Sequence, residues 1–397
     1  MSWELKSFEE LGFIGRGKSR HRPRNDERLY NGIYPLIQTS EIQASNLYIN
    51  NFTKTYNEFG LSQSKLWKEG TLCLSIVGAN TAETAILGFD ACFPDSVIGF
   101  NAFENVSNNL FVKYFFDFIK VELKSISEGT ARENLSLEKL LSKKREVPNF
   151  NTQTRIASIL SNYDDLIENN LKRIKLLEET AQNIYKEWFV HFRFPNYEHT
   201  EFDTESGLPF GWRKRKVTDF FDFIKGIEVG SANYESVSNI ETLPFLRVGD
   251  ISKRDGGIYV KKSLVKDKIV EKNDILISFD GSIGSVGYGL EGSYSSGLRK
   301  ITSKTEIFGT GFMYCLVKSD TIQNTINAHA KGTTILHAGT SIIHLEFLLA
   351  TDNVILSFNQ ITNPIFEQMV SLNYQNQKLK EARDILLPRL MNRTIEV

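Results

Sequence analysis

The segment NYDDLIENNLKRIKLLEETAQNIYKEWF, residues 162–189, carries a seam of Tyr163, Ile167, Asn170, Ile174, Leu177, Ala181, Ile184 and Trp188, stepping alternately by four and three. That spacing is the a/d stripe of a heptad helix. A second seam follows at an offset of 202 residues: Ile365, Met369, Leu372, Asn376, Leu379, Arg383, Leu386 and Leu390, within PIFEQMVSLNYQNQKLKEARDILLPRL, residues 364–390. Either each helix packs on its own domain or the two pair with each other, and their matching length favours the pair. Asn170 and Asn376 would then be polar seam positions that set register. Pro364 suits a first helical turn, and Pro388 is expected to break or bend the last one.

The second helix repeats the first because the whole chain repeats. Trp3 and Trp212 are 209 residues apart, and so are Pro35 and Pro244, in YPLIQTSEI and LPFLRVGDI. KEGTLCLSI (68–76) matches EKNDILISF (271–279) at an offset of 203, as does GTARENLS from Gly129 with GTTILHAG from Gly332. Four matches in one order are not chance, so one module is used twice. The change in offset places about six extra residues in the first copy, as a surface loop would. Outside the helices the chain offers short β-rich runs such as TLCLSIV and DILISF, separated by Gly, Asn and Ser turns. The fold class expected is therefore α+β, two mixed units with two long helices.

Composition bounds the function. The 397 residues are enough for two or three cores, and 41% hydrophobic with 24% charged residues is ordinary for a soluble globular protein. Cys73, Cys92 and Cys315 are far apart and lack metal-ligand spacing, which favours a reduced, cytoplasmic compartment. MSWELKSFEE has no signal-peptide character, and the most apolar stretch, SIIHLEFLLA, is interrupted by His344 and Glu346, so no membrane span is expected. The net charge of -1 gives no overall attraction to nucleic acid, but local basic faces decide that question.

GFIGRGKS, Gly12–Ser19, fits the nucleotide-cradling pattern G-x-x-x-x-G-K-[ST] letter for letter. Such a loop needs a buried strand before it and a helix starting at the Lys. LKSFEEL upstream is mixed and charged, and RHRPRNDER downstream holds Pro23 and nothing apolar to bury. A P-loop NTPase is thus the weaker reading, and a non-catalytic coiled-coil scaffold is the other alternative. DGSIGSVGYGLEGSYSSG does not have dinucleotide-fingerprint spacing and reads as turn chemistry. The six histidines are scattered, with neither H-E-x-x-H nor G-x-S-x-G, and no amino-methyltransferase N-P-P-[YF] motif occurs.

Cations do accumulate. Arg16, Lys18, Arg20, Arg22, Arg24 and Arg28 crowd one expected loop, opposed only by Asp26 and Glu27, and such a cluster calls for an anionic partner. RKRK at 213–216, Lys253-Arg254 and Lys261-Lys262 are the counterparts in the second copy. Gln38 and Arg247, at equivalent repeat positions, are candidates for base reading; Thr130, Arg132, Lys331 and Thr333 flank the paired Gly-Thr motifs as candidate backbone anchors. Two similar loop-rich modules tied by helices make a device for reading two DNA segments.

The succession YPLIQTSEI, TQTRIASILSNYDDLIENNLKRIKLLEETAQNIYKEWF, SGLPFGW, LPFLRVGDI, NDILISFDGSIGSVG and KLKEARDILLPRLM resembles the DNA-specificity subunit of type I restriction-modification systems over nearly the whole chain. The resemblance implies two target recognition domains, 1–150 and 194–355, and two helices, 151–193 and 356–397, forming an antiparallel pair that sets the spacing of a split, asymmetric site in double-stranded DNA. It also implies methyltransferase subunits and a translocase-nuclease restriction subunit as partners, with no catalytic centre and no cofactor in this chain.

Overall fold

The computed structural model describes residues 3–128, 135–253, 257–333 and 335–397. It divides into two compact units, one of residues 1–169 with 376–397, the other of residues 170–375. The first unit contains a five-stranded sheet in the order Gly12–Arg16, Val97–Ala102, Leu72–Ser75, Thr84–Leu87, Tyr48–Ile49. The second contains Phe221–Lys225, Leu298–Ser303, Ile275–Ser278, Val286–Tyr288 in the matching order. A further sheet repeats as well: Lys54–Tyr56, Tyr30–Leu36, Ala91–Cys92, Leu66–Trp67 against Tyr259–Lys261, Thr242–Leu246, Gly292–Tyr294, Ile269–Val270. Each unit adds a two-stranded ribbon, Trp3–Lys6 with Arg145–Pro148 and Arg213–Lys216 with Glu346–Leu349.

The central strands LCLS and ILIS are buried along their whole length, so they read as continuous apolar runs. Side chains still alternate by period two. Leu72 and Leu74 join Phe111 and Phe116 of the helix Asn109–Phe118, whereas Cys73 faces Trp67 and Phe93. In the second unit Ile275 and Ile277 meet Phe312 of the helix Thr310–Lys318, and Leu276 meets Leu246 and Tyr294.

The two long helices are Phe150–Phe189 and Asp352–Met391, 40 residues each. Asn149 caps the first, its Oδ1 accepting the Thr152 N–H at 3.0 Å. In the first unit Ile156, Ala157 and Leu160 cluster with Leu390 and Met391, and Asp164 meets Arg383, so the segments run antiparallel. In the second, Ile174, Ala181 and Trp188 cluster with Phe358, Ile365, Met369 and Leu372. Ile167, Asn170, Ile174, Met369, Leu372 and Asn376 are buried, and Tyr163, Leu177, Ile184, Ile365, Leu379 and Leu386 half-buried.

Pro364 departs from the sequence expectation, and Pro388 does not break its helix. The second helix begins at Asp352, twelve residues before Pro364, and continues through Pro388 to Met391. A helical proline strands the carbonyl four residues earlier. Here Gln360 and Asp384, which lose that partner, are exposed along with Pro364 and Pro388, so water can replace the missing bonds. The extra turns bury Ile355, Phe358 and Thr362.

Candidate nucleic-acid interface

GFIGRGKS does not form a strand-to-helix phosphate loop. Gly12–Arg16 is an edge strand paired with Val97–Ala102, and the chain leaves it as a loop whose next helical turn is Glu27–Leu29. The loop is tied to its own unit by backbone bonds: Gly17 N–H to Val97 O at 2.9 Å, Lys18 N–H to Phe93 O at 3.1 Å and Arg20 N–H to Gln63 O at 3.1 Å. Ile37, just before Gln38, donates to Cys92 O at 2.8 Å, so the adjacent residues Cys92 and Phe93 anchor both loops. The cationic loop and Gln38 therefore belong to one edge of the first unit.

The six cations are not equivalent. Arg24 donates to Asp95 at 2.5 Å, with Arg22 3.8 Å from the same carboxylate, and Arg28 is bonded to Asp26 through its backbone N–H, Nε and Nη2, while Asp26 also takes a bond from His21 at 2.7 Å. Bonds from Arg28 and then His21 hold the Asp26 carboxyl far below its usual range, and Asp26 in return raises Arg28. Among the described residues Arg16, Lys18 and Arg20 form no ion pair, and all three are exposed. The expectation that only Asp26 and Glu27 oppose the cluster is thus corrected by Asp95, which is 71 positions from Arg24 in sequence. Lys65 joins the patch unforeseen. Its ammonium lies 3.6 Å from the Trp67 ring centroid, and burial followed by repulsion from Lys18 lowers its pKa.

Gln38 and Arg247 occupy matching places in fact. Gln38 directly precedes the helix Thr39–Ala44 and Arg247 stands three residues before Asp250–Lys253, yet each backbone N–H is received by the acid three positions on: Glu41 at 3.1 Å and Asp250 at 2.9 Å. Burial opposes ionisation of Glu41, but hydrogen bonds from Thr53 and Ser40 hold its carboxyl below the ordinary range. Gln38 is half-buried, whereas Arg247 is exposed with its guanidinium on Asp250 at 3.1 Å.

Lys331 and Thr333 are exposed, and Lys331 forms an isolated backbone bridge with His337. Val248 lies near Gly281 and Gly297, which joins the Arg247 loop to the loops after Ser278 and before Leu298. Lys253 ends its helix; Thr130, Arg132 and Arg254 lie outside the described residues. The RKRK run is the exposed strand Arg213–Lys216 of the two-stranded ribbon, with Lys214 on Glu346 at 2.6 Å, and Lys262 is turned onto the Ile240 carbonyl at 2.8 Å. The loop matching the cationic one, GIEVGSANYESVSNIE at 226–241, has Glu228, Glu235 and Glu241 but no Lys or Arg. The two units thus share a frame and differ in the charge of its loops.

Among the described residues no group of three or more His, Cys, Asp or Glu is placed to hold a metal ion, and no helix is long and apolar enough to cross a membrane.

Comparison with known proteins matches this duplication. The type I restriction enzyme MjaIX specificity subunit of Methanocaldococcus jannaschii is 25% identical over 419 residues, spanning 98% of this chain and 92% of the relative. The HindI specificity subunit of Haemophilus influenzae is 22% identical over 62% of this chain and 68% of its own. In fold, the chain is similar to the type I restriction-modification S subunit from M. genitalium, with a TM-score of 0.53 at 15% identity over 98% of this chain and 96% of that one. The model of the type I restriction modification DNA specificity domain matches residues 2–179 and 209–345, once on each repeat. The chain therefore belongs to the type I restriction modification DNA specificity family.

Proposed function

We propose that each unit reads one half of a split, asymmetric site in duplex DNA, and that the helix pair sets the gap. On this reading the chain is the non-catalytic specificity subunit of a cytoplasmic restriction-modification complex, docking methyltransferase and translocase-nuclease subunits. The observation that carries it is a repeated frame with unlike loops: each edge strand ends in a cation, Arg16 or Lys225, and the loop beyond it carries Lys18 and Arg20 in one unit and only acidic charges in the other. One frame with two surfaces suits two different half-sites.

The test exchanges residues 1–150 for the corresponding part of another family member and maps the methylated sequence in cells that also express the methyltransferase subunit. One half of the site is expected to change and the other to persist. Joint change of both halves would refute the two-reader model. ATP binding by the purified chain would revive the nucleotide reading, and DNA binding without sequence preference the scaffold reading.

Phosphate binding by the first unit can be dissected with salt. Replacing Arg16, Lys18 and Arg20 by Gln is expected to lower the log-log salt slope of binding by about 0.9 for each phosphate that is no longer neutralised. Replacing Arg22 and Arg24 should do less, because Asp95 already competes for them. Equal reductions from the two sets, measured on duplex DNA with the methyltransferase subunit present, would contradict this ranking.

A further inference from the structure

The loop that follows the buried strand Ile275–Ser278 carries an acid, Asp280, in contact with His337 and near Arg299. Asp280 is held on both sides through its neighbours: Ala338 N–H donates to Phe279 O at 2.7 Å, and Gly281 N–H to Leu336 O at 2.8 Å. Asp280 itself bridges His337 through the backbone, and its Oδ1 is 2.6 Å from His337 Nδ1. Gly281 turns the chain at φ 71°, and Gly284 N–H returns to Ser278 O at 2.8 Å. The carboxylate is therefore presented from a fixed backbone, as recognition groups must be.

One cation, Arg299, lies close enough to feel its charge. Arg299 is half-buried, with its guanidinium on the Ser296 carbonyl at 2.6 Å and the Leu298 carbonyl at 3.0 Å. His337 touches Asp280, and Lys331 is bridged to His337. The Arg247 loop closes on the same place, since a Cβ built on Gly297 would lie 2.8 Å from Val248 and 3.5 Å from Asp280 Cβ.

On a face that meets phosphates a carboxylate weakens binding, because it repels the backbone charge. One role offsets that cost: an acceptor-only group can receive a base amino group, and the carboxylate pairing in the major groove is with cytosine N4. We infer that Asp280 is a base-reading residue of the second unit, accepting a hydrogen bond from the N4 amino group of a cytosine. This rests on the two-reader function proposed above. At the equivalent place in the first unit, with the same left-handed glycine after it, stands Val77, which has no polar side-chain atom. One loop position thus bears opposite chemistry in the two units, as readers of unlike half-sites require.

The test is the methylated sequence produced by the full chain with its methyltransferase subunit, mapped for wild type, Asp280→Ala, Asp280→Asn and His337→Gln. Asp280→Ala should relax one cytosine position in one half-site by roughly 5- to 150-fold, the range for a single mismatched base pair. Asp280→Asn should admit adenine there. The other half-site should persist in both variants, which also reports that the chain is folded. His337→Gln should leave the sequence unchanged. An unaltered sequence in Asp280→Ala overturns the inference, as does relaxation of a base other than cytosine. Equal relaxation in His337→Gln overturns it too, by making the pair a latch for the loop. If the wild-type chain directs no split sequence at all, the failure lies in the two-reader function itself.

Discussion

Arg383→Ala should destabilise the first unit by about 3–5 kcal/mol, the cost of breaking a buried ion pair from one side. Asp164 is 0% exposed and accepts the Tyr114 hydroxyl at 2.6 Å; Arg383 is its charged partner and also donates to Asp384 at 2.9 Å. Burial alone would weaken the guanidinium's hold on its proton, but Asp164 and Asp384 outweigh that and raise its pKa. Without Arg383 the buried carboxylate keeps, among the described residues, one neutral donor, the Tyr114 hydroxyl. The second unit shows the apolar solution of the same position. At the helix offset of 202, Asp164 corresponds to Phe366 and Arg383 to Ala181, both buried in its hydrophobic cluster. Asp164→Phe with Tyr114→Phe and Arg383→Ala should accordingly recover most of the loss, since apolar replacement of a buried pair is often neutral or better. Hydrogen exchange in Asn109–Phe118 against Thr310–Lys318 separates the units. A change under 1 kcal/mol in the first helix of Arg383→Ala would show that Asp164 is served by other groups.

Much of this frame was legible because it is periodic or duplicated. The heptad seams mark the faces that are least exposed in both long helices, and the matches Pro35 with Pro244 and LCLS with ILIS fall in corresponding strands, while Trp3 begins its ribbon strand and Trp212 immediately precedes the other. The residues alone put Pro364 in the first turn of the second helix, a local signal that solvent at Gln360 relieves, whereas the resemblance put the start at 356, close to Asp352. Pairings between distant loops were hidden. Asp95 lies in FPDSV with no local sign that Arg22 and Arg24 come to it, and Asp280 in ILISFDG reads as a turn acid until His337 folds back onto it. The cation count in the first loop was correct, but which cations remain unpaired is a property of the fold.

The two glycines that end the edge strands supply the sharpest contrast with the nucleotide reading of GFIGRGKS. A Cβ on Gly17 would lie 2.2 Å from Phe93 O and 2.4 Å from Pro94 O; on Gly226 it would lie 2.2 Å from Ser295 O and 2.4 Å from Tyr294 O. Neither glycine has a positive φ, so the requirement is space and not conformation. Both N–H groups are used inward, Gly17 to Val97 O at 2.9 Å and Gly226 to Leu298 O at 3.1 Å. A methyl group must therefore push backbone that two strands hold in place, and Gly17→Ala and Gly226→Ala should each cost about 3 kcal/mol or more, the upper end for overpacking. Lys18→Ala, at an exposed side chain, should stay within about 0.5 kcal/mol and act on DNA binding alone. A phosphate-cradling loop predicts a different pattern: Lys18 essential to ATP binding and Gly226, in GIEVG without Lys-Ser, irrelevant to it. Denaturation of the three variants decides between them. Matching losses at Gly17 and Gly226 would assign the glycine to the repeated frame, whereas a tolerant Gly17 would remove the close strand approach on which that assignment depends.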